Sequence, residues 1–78
     1  MKHEVRIEQE AVIIEISGDV DLEFSGDLRT LLMGSLPKGR VIIIDLSCVD
    51  LIDSSGIASL LKAFQEACKK GKEFMGLS

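Results

Sequence analysis

Three features of the 78-residue sequence predict an α/β fold: a small mixed sheet with an antiparallel first strand and two right-handed strand-helix-strand crossovers. The first is a pair of short strand-like segments separated only by Gln9-Glu10, room for little more than a hairpin turn. The second is the alternation that follows, in which helically spaced apolar residues come between apolar strand candidates. The third is the handedness rule, because a strand-helix-strand unit needs parallel neighbours and a right-handed connection. No composition break divides residues 1–78, which allows one small domain with a modest core.

Val5 and Ile7 alternate with Glu4, Arg6 and Glu8, the period-two pattern of a half-exposed strand. Ala11-Val12-Ile13-Ile14-Glu15-Ile16-Ser17 forms the second strand, and Gly18-Asp19-Val20-Asp21 ends it. Phe24, Leu28, Leu31, Leu32 and Leu36 then recur at helical spacing, with Ser25 placed to cap and Asp27 in the first turn. Gly34 weakens the end of this helix, and Pro37-Lys38-Gly39 stops it.

Val41-Ile42-Ile43-Ile44 is continuously apolar and β-branched, the pattern of a central parallel strand covered on both faces. Asp45 falls near its end as a local hydrogen-bonding carboxylate. The segment from Val49 to Ile57 reads as an acidic, hydroxyl-rich turn leading into the second helix. Ile57, Leu60, Leu61, Phe64 and Cys68 form one face of that helix, and Glu66 with Lys70 has the favourable i,i+4 orientation. Gly71 ends the helix, and Glu73–Leu77 supplies a last short strand.

Nine basic and thirteen acidic residues give a formal charge of −4, and eight of the acids precede Leu31. This balance points to a partner carrying basic groups. With neither a basic stripe nor an aromatic platform, nucleic-acid binding is disfavoured. No apolar run reaches the ~20 residues of a membrane span, so direct membrane insertion is not expected. Cys48 and Cys68 form neither a Cys-x-x-Cys pair nor a zinc pattern, which favours a soluble, reducing, cytoplasmic setting.

In the predicted topology the loops after strands two and three emerge on one sheet edge, bringing Gly18–Asp21 beside Asp50–Gly56. Ser54 and Ser55 suit a helix cap, and Gly56 permits tight backbone geometry. One serine can cap while the other is modified. A catalytic serine is less persuasive, since Gly-x-Ser-x-Gly is absent and His3, the lone histidine, lies on the first strand. Asp19, Asp21, Asp50 and Asp53 lack the spacing of a calcium loop or a two-metal site, so solvated loop carboxylates are the stronger reading. The glycines form no nucleotide signature, and no cofactor is expected.

The run Ile42-Ile43-Ile44-Asp45-Leu46-Ser47-Cys48-Val49-Asp50-Leu51-Ile52-Asp53-Ser54-Ser55-Gly56-Ile57 resembles the central segment of the STAS domain, especially that of bacterial anti-sigma factor antagonists. Ser17-Gly18-Asp19-Val20-Asp21 resembles the family's Gly-acid-apolar-Asp segment after strand two, and the similarity extends through nearly the whole chain. The resemblance implies a STAS-like, non-enzymatic binding module of a partner-switching system, with Ser54 as phosphoacceptor. An anti-sigma factor with serine kinase activity would bind the unmodified form, and a PP2C-like serine phosphatase would restore it. Asp19, Asp21, Asp50, Asp53, Ser54, Ser55 and Gly56 would make the partner-binding rim. Phosphate on Ser54 would add about −1.5 to −2 charge beside Asp53 and could be accepted by helix N–H groups.

Domains of this family usually continue beyond the fourth strand, so the chain reads as a shortened form with an exposed sheet edge open to self-association. The closest competing reading is a non-phosphorylated STAS interaction subunit of a transporter, lipid-transport or stress-signalling assembly. An enzyme using the acidic edge comes third, for want of an ordered base, nucleophile and electrophile.

Overall fold

The computed structural model describes residues 1–77. Strand β1 (Lys2–Glu8) and strand β2 (Ala11–Val20) form an antiparallel hairpin, with Val5 opposite Ile14 and Ile7 opposite Val12. Helix α1 (Leu22–Ser35) and a 3-10 turn (Leu36–Lys38) lead to β3 (Val41–Ile52), helix α2 (Ser54–Lys69) and β4 (Glu73–Leu77). The strands lie side by side in chain order, and β2–β3 and β3–β4 are parallel. The mixed sheet with its antiparallel first strand is therefore as the sequence predicts.

One consequence of that order runs against the reading of Val41–Ile44 as covered on both faces. Two right-handed crossovers stepping in the same direction put both helices on the same side of the sheet. Val12, Ile14, Ile16, Ile42 and Ile44 point to that side and are at most 1% exposed. They pack with Leu28, Leu32 and Leu36 from α1 and its following turn, and with Ala63 and Ala67 of α2. Each large aliphatic side chain so buried contributes about 1.5–3 kcal/mol. Ile13, Val41 and Ile43, which alternate with them, are only half-buried on the opposite face.

The helices begin earlier than their hydroxyls suggest. Asp21, in extended conformation, caps α1, its carboxylate accepting the Glu23 N–H at 3.1 Å. Ser25 does not cap; its hydroxyl donates to the Leu22 carbonyl inside the first turn. Asp27 consequently lies beyond the first turn. An aspartate in extended backbone outcompetes a serine four residues later because it can reach the free amides directly.

In α2 the inward side is made by Gly56, Ser59, Ala63 and Ala67, small residues that let the helix approach α1 and the sheet closely. Ser59 Oγ donates to the Ser25 carbonyl at 3.0 Å, joining the two helices. Ile57, Leu61, Phe64 and Cys68 stay largely exposed, and of the predicted apolar face only Leu60 is half-buried. Glu66 pairs with Lys62 at 3.8 Å and Lys69 at 3.5 Å rather than with Lys70, which is the C-cap. Gly71, at φ +69°, turns the chain out of the helix as predicted.

Candidate functional site

Strands β2 and β3 run further than the apolar pattern indicates, to Val20 and Ile52. Beyond Ile44, hydrogen bonding to the neighbouring strand holds the chain extended where the side chains turn polar. Gly18 lies opposite Val49, Asp19 opposite Leu51 and Val20 opposite Ile52. An extra residue bulges from β3 between Asp45 and Cys48, and another between Val49 and Leu51. Gly18 takes φ +86° beside the second bulge, a conformation costly for any residue with a Cβ. The Asp53 N–H then donates to the Val20 carbonyl at 3.1 Å, closing the two strand ends together. Both helices start from this closure, so Gly18–Asp21 and Asp50–Gly56 share one rim.

The four rim carboxylates divide by task. Asp21 and Asp53 are turned inward as N-caps, Asp53 Oδ1 accepting from the Ser55 N–H at 3.0 Å and the Gly56 N–H at 3.1 Å. Asp19 and Asp50 are exposed. Among the described residues, no three His, Cys, Asp or Glu side chains converge as metal ligands do. His3 sits opposite Ile16 on β1, on the far side of β2 from the strand that leads to Ser54.

Capping of α2 therefore falls to Asp53 and not to Ser54 or Ser55, which the sequence made the cap candidates. Ser54 is the exposed first residue of the helix, free of the capping pattern, while Ser55 is half-buried and its carbonyl accepts the Ser59 hydroxyl. Gly56 is buried because a Cβ there would lie 2.8 Å from both Ile52 Cγ1 and Val20 Cγ1. Its absent side chain is what lets α2 start directly against the strand ends.

The rim also has an apolar component that a search for acids and hydroxyls overlooks. Leu22 is 74% exposed and Leu51 57%, each beside a capping or acidic residue, and Ile57 is exposed one turn beyond Ser54. The Asp-Leu pairs at 21–22 and 50–51 were the available signal. At the first bulge of β3, Asp45 accepts the Ser47 hydroxyl at 2.7 Å and the Ser47 N–H at 2.9 Å. These bonds, the hydroxyl's first, hold the Asp45 carboxyl below the ordinary aspartate range. Asp45 and Ser47 line an open groove of about 590 Å³ with Glu4, Glu15 and Cys48, and none of the rim residues lines it.

The sequence profile of the STAS domain matches residues 2–75. The chain belongs to the STAS family. Among solved structures, the unphosphorylated form of the anti-sigma factor antagonist SpoIIAA superposes with a TM-score of 0.82 at 18% identity. The match covers 96% of this chain and 71% of that one. The phosphorylated form of SpoIIAA, described as a Bacillus cell fate determinant, gives a TM-score of 0.78 at 18% identity, with 94% and 68% covered. An anti-sigma factor antagonist from Mycobacterium paratuberculosis gives 0.87 at 20% identity, covering 96% of this chain and 64% of that one. A sulfate transporter family protein from Wolinella succinogenes gives 0.74 at 21% identity, with 91% and 58% covered.

At these identities the structural likeness establishes the fold. A STAS domain has no catalytic chemistry of its own, so the chain is read as a binding module and not as an enzyme. Among the described residues, no helix is long and apolar enough to cross a membrane.

Proposed function

We propose that residues 1–78 form a STAS module acting as an anti-sigma factor antagonist in a cytoplasmic partner-switching pathway. The unmodified rim, comprising Asp19, Asp21, Asp50, Asp53, Ser54, Ser55 and Gly56, binds an anti-sigma factor that is also a serine kinase. Phosphorylation of Ser54 releases it, and a PP2C-like serine phosphatase restores the binding form. The observation that carries this reading is the separation of two tasks at the start of α2. Asp53 makes both capping hydrogen bonds, and Ser54 beside it is exposed. The hydroxyl can therefore be esterified without dismantling the helix start.

The geometry changes how the phosphate acts. The amides of Ser55 and Gly56, the nearest candidates to receive it, already donate to Asp53. The phosphate is thus directed outward, adding about −1.5 to −2 charge next to Asp53 and Asp50. The helix N-terminus still favours an anion electrostatically. A partner seated on Leu22, Leu51 and Ile57 would have to bury that charge, which is costly without a cation to pair it. Binding is lost at the surface while the fold stays intact.

The test is to incubate the protein with its cognate kinase and locate the phosphate by mass spectrometry. Affinities of the free and phosphorylated forms for that kinase are then compared by calorimetry. Phosphate on Ser54 together with weaker binding is the expected result. Phosphate at another residue, or equal affinities, would overturn the mechanism. The likeness to the sulfate transporter family protein supports a second reading, a non-phosphorylated interaction subunit of a transporter, lipid-transport or stress-signalling assembly. Capture of transporter subunits, with no serine kinase, in a pull-down from native extract would favour it.

A further inference from the structure

Among the described residues two polar side chains are buried, Ser35 and Ser59, each 2% exposed. Ser35 does what a helical serine ordinarily does: its hydroxyl donates back to the Leu31 carbonyl four residues earlier, at 2.8 Å, within α1. Ser59 is placed differently. Its hydroxyl faces two carbonyls, that of Ser55 in its own helix at 3.2 Å and that of Ser25 in α1 at 3.0 Å. A serine hydroxyl has one proton to give, and the nearer acceptor belongs to the other helix.

Among the described residues this is the one side-chain hydrogen bond between α1 and α2. The other inward residues of α2, Gly56, Ala63 and Ala67, make apolar contacts that carry no direction, whereas a hydrogen bond weakens steeply off its axis. The bond lies at the rim end of both helices. Ser25 is in the first turn of α1, and Ser55 is the second residue of α2, next to Ser54. The Ser25 hydroxyl in turn donates to the Leu22 carbonyl at 3.1 Å. A run of serine contacts therefore leads from Ser55, beside Ser54, through Ser59 and Ser25 to Leu22 on the α1 flank of the rim.

We propose that Ser59 is a positioning residue, whose hydroxyl holds the first turn of α1, and with it Leu22, at a fixed place relative to Ser54. A partner that docks on Leu22 and reaches Ser54 meets the two as one surface, a consequence that rests on the partner-switching reading of the rim. Removing the hydroxyl costs the fold little, because the Ser25 and Ser55 carbonyls keep their intrahelical N–H partners and alanine favours helix. What it releases is the spacing between the two flanks.

The proposal is tested with Ser59→Ala and Ser59→Cys, the second filling the same place with a thiol that donates only weakly. In the free protein, both variants should lower the NMR order parameters of the Leu22 methyls while thermal unfolding stays close to wild type. Leu22 methyls unchanged in Ser59→Ala would overturn the proposal, as would their recovery in Ser59→Cys, which would make packing responsible and not the hydrogen bond. With the kinase that phosphorylates Ser54, both variants should raise KM about 3–10-fold at unchanged kcat, the mark of lost docking with the acceptor hydroxyl untouched. In a Leu22→Ala background Ser59→Ala should add nothing, because its effect runs through Leu22. Full additivity with Leu22→Ala, or a fall in kcat, would overturn it. Absence of phosphate from Ser54 in the wild type would instead overturn the partner-switching reading, and the Leu22 methyls then decide the role of Ser59.

Discussion

Asp53 Oδ1 accepts the Ser55 N–H at 3.0 Å and by doing so takes the cap of α2 away from the serine between them. Replacing Asp53 with Ala removes both capping bonds and should cost about 0.5–2 kcal/mol of stability. Asp53→Asn, which retains an accepting oxygen, should lose much less. Urea denaturation of the two variants checks the ranking.

Ser54 is expected to be close to silent in the same assay. It neither caps the helix nor is buried. Ser54→Ala should therefore shift unfolding by no more than ~0.5 kcal/mol while abolishing phosphate incorporation. Ser54→Asp should retain the fold and weaken partner binding. A large stability loss in Ser54→Ala would show that the hydroxyl is structural after all.

Gly56→Ala sets two effects against each other. Alanine gains up to about 1 kcal/mol of helix propensity. Its Cβ would also stand 2.8 Å from Ile52 Cγ1 and Val20 Cγ1 and 3.1 Å from the Val20 carbonyl oxygen. Overpacking of this kind costs about 1–3 kcal/mol, and the backbone oxygen cannot turn aside as a side chain can. Net destabilisation is expected, measured as a lower urea midpoint at unchanged slope.

Ser47→Ala should move the Asp45 titration upward, since the Ser47 hydroxyl is the largest cause of its lowered pKa. The sign follows from linkage. A carboxyl whose folded pKa is depressed contributes stability that is present above its unfolded pKa and lost as pH falls through the folded value. The stability gap between wild type and variant should accordingly be widest near neutrality and close at acid pH. Carboxyl-carbon NMR titration follows the group directly, and acid unfolding at several pH values follows the gap.

Most of the architecture was legible because it rests on periodicity. Val5 and Ile7 alternate, Val41–Ile44 is unbroken, and Gln9-Glu10 leaves room only for a hairpin. The discrepancies have specific causes. Ser25, and one of the pair Ser54 and Ser55, were read as caps because hydroxyls signal helix starts, but Asp21 and Asp53 lie nearer the free amides and take them. The ends of β2 and β3 were taken as turns because acids and a glycine interrupt the apolar runs at Gly18–Asp21, and acids and hydroxyls do so between Val49 and Ile57. Backbone pairing between neighbouring strands does not depend on side-chain polarity.

At the candidate site, the meeting of the Gly18–Asp21 and Asp50–Gly56 segments followed from topology alone. The division of four acids into two caps and two exposed carboxylates did not, because it depends on backbone conformation at each aspartate. The exposure of Ile57, Leu61 and Phe64 was equally hidden. Helical spacing marks an apolar stripe, but the small residues Gly56, Ser59, Ala63 and Ala67 decide which side of α2 goes inward.

The placement of both helices on one face of the sheet has a calorimetric consequence. Ile13, Val41 and Ile43 are only half-buried in the native state, and Met75 beside them is 46% exposed. Part of the apolar hydration that unfolding normally creates is therefore present beforehand. Globular chains gain about 12–15 cal/mol/K per residue on unfolding, largely from newly wetted apolar surface. This one should gain less, and its free energy of unfolding should curve more gently with temperature, leaving it less prone to cold denaturation than a domain of equal stability whose sheet is sheathed on both sides.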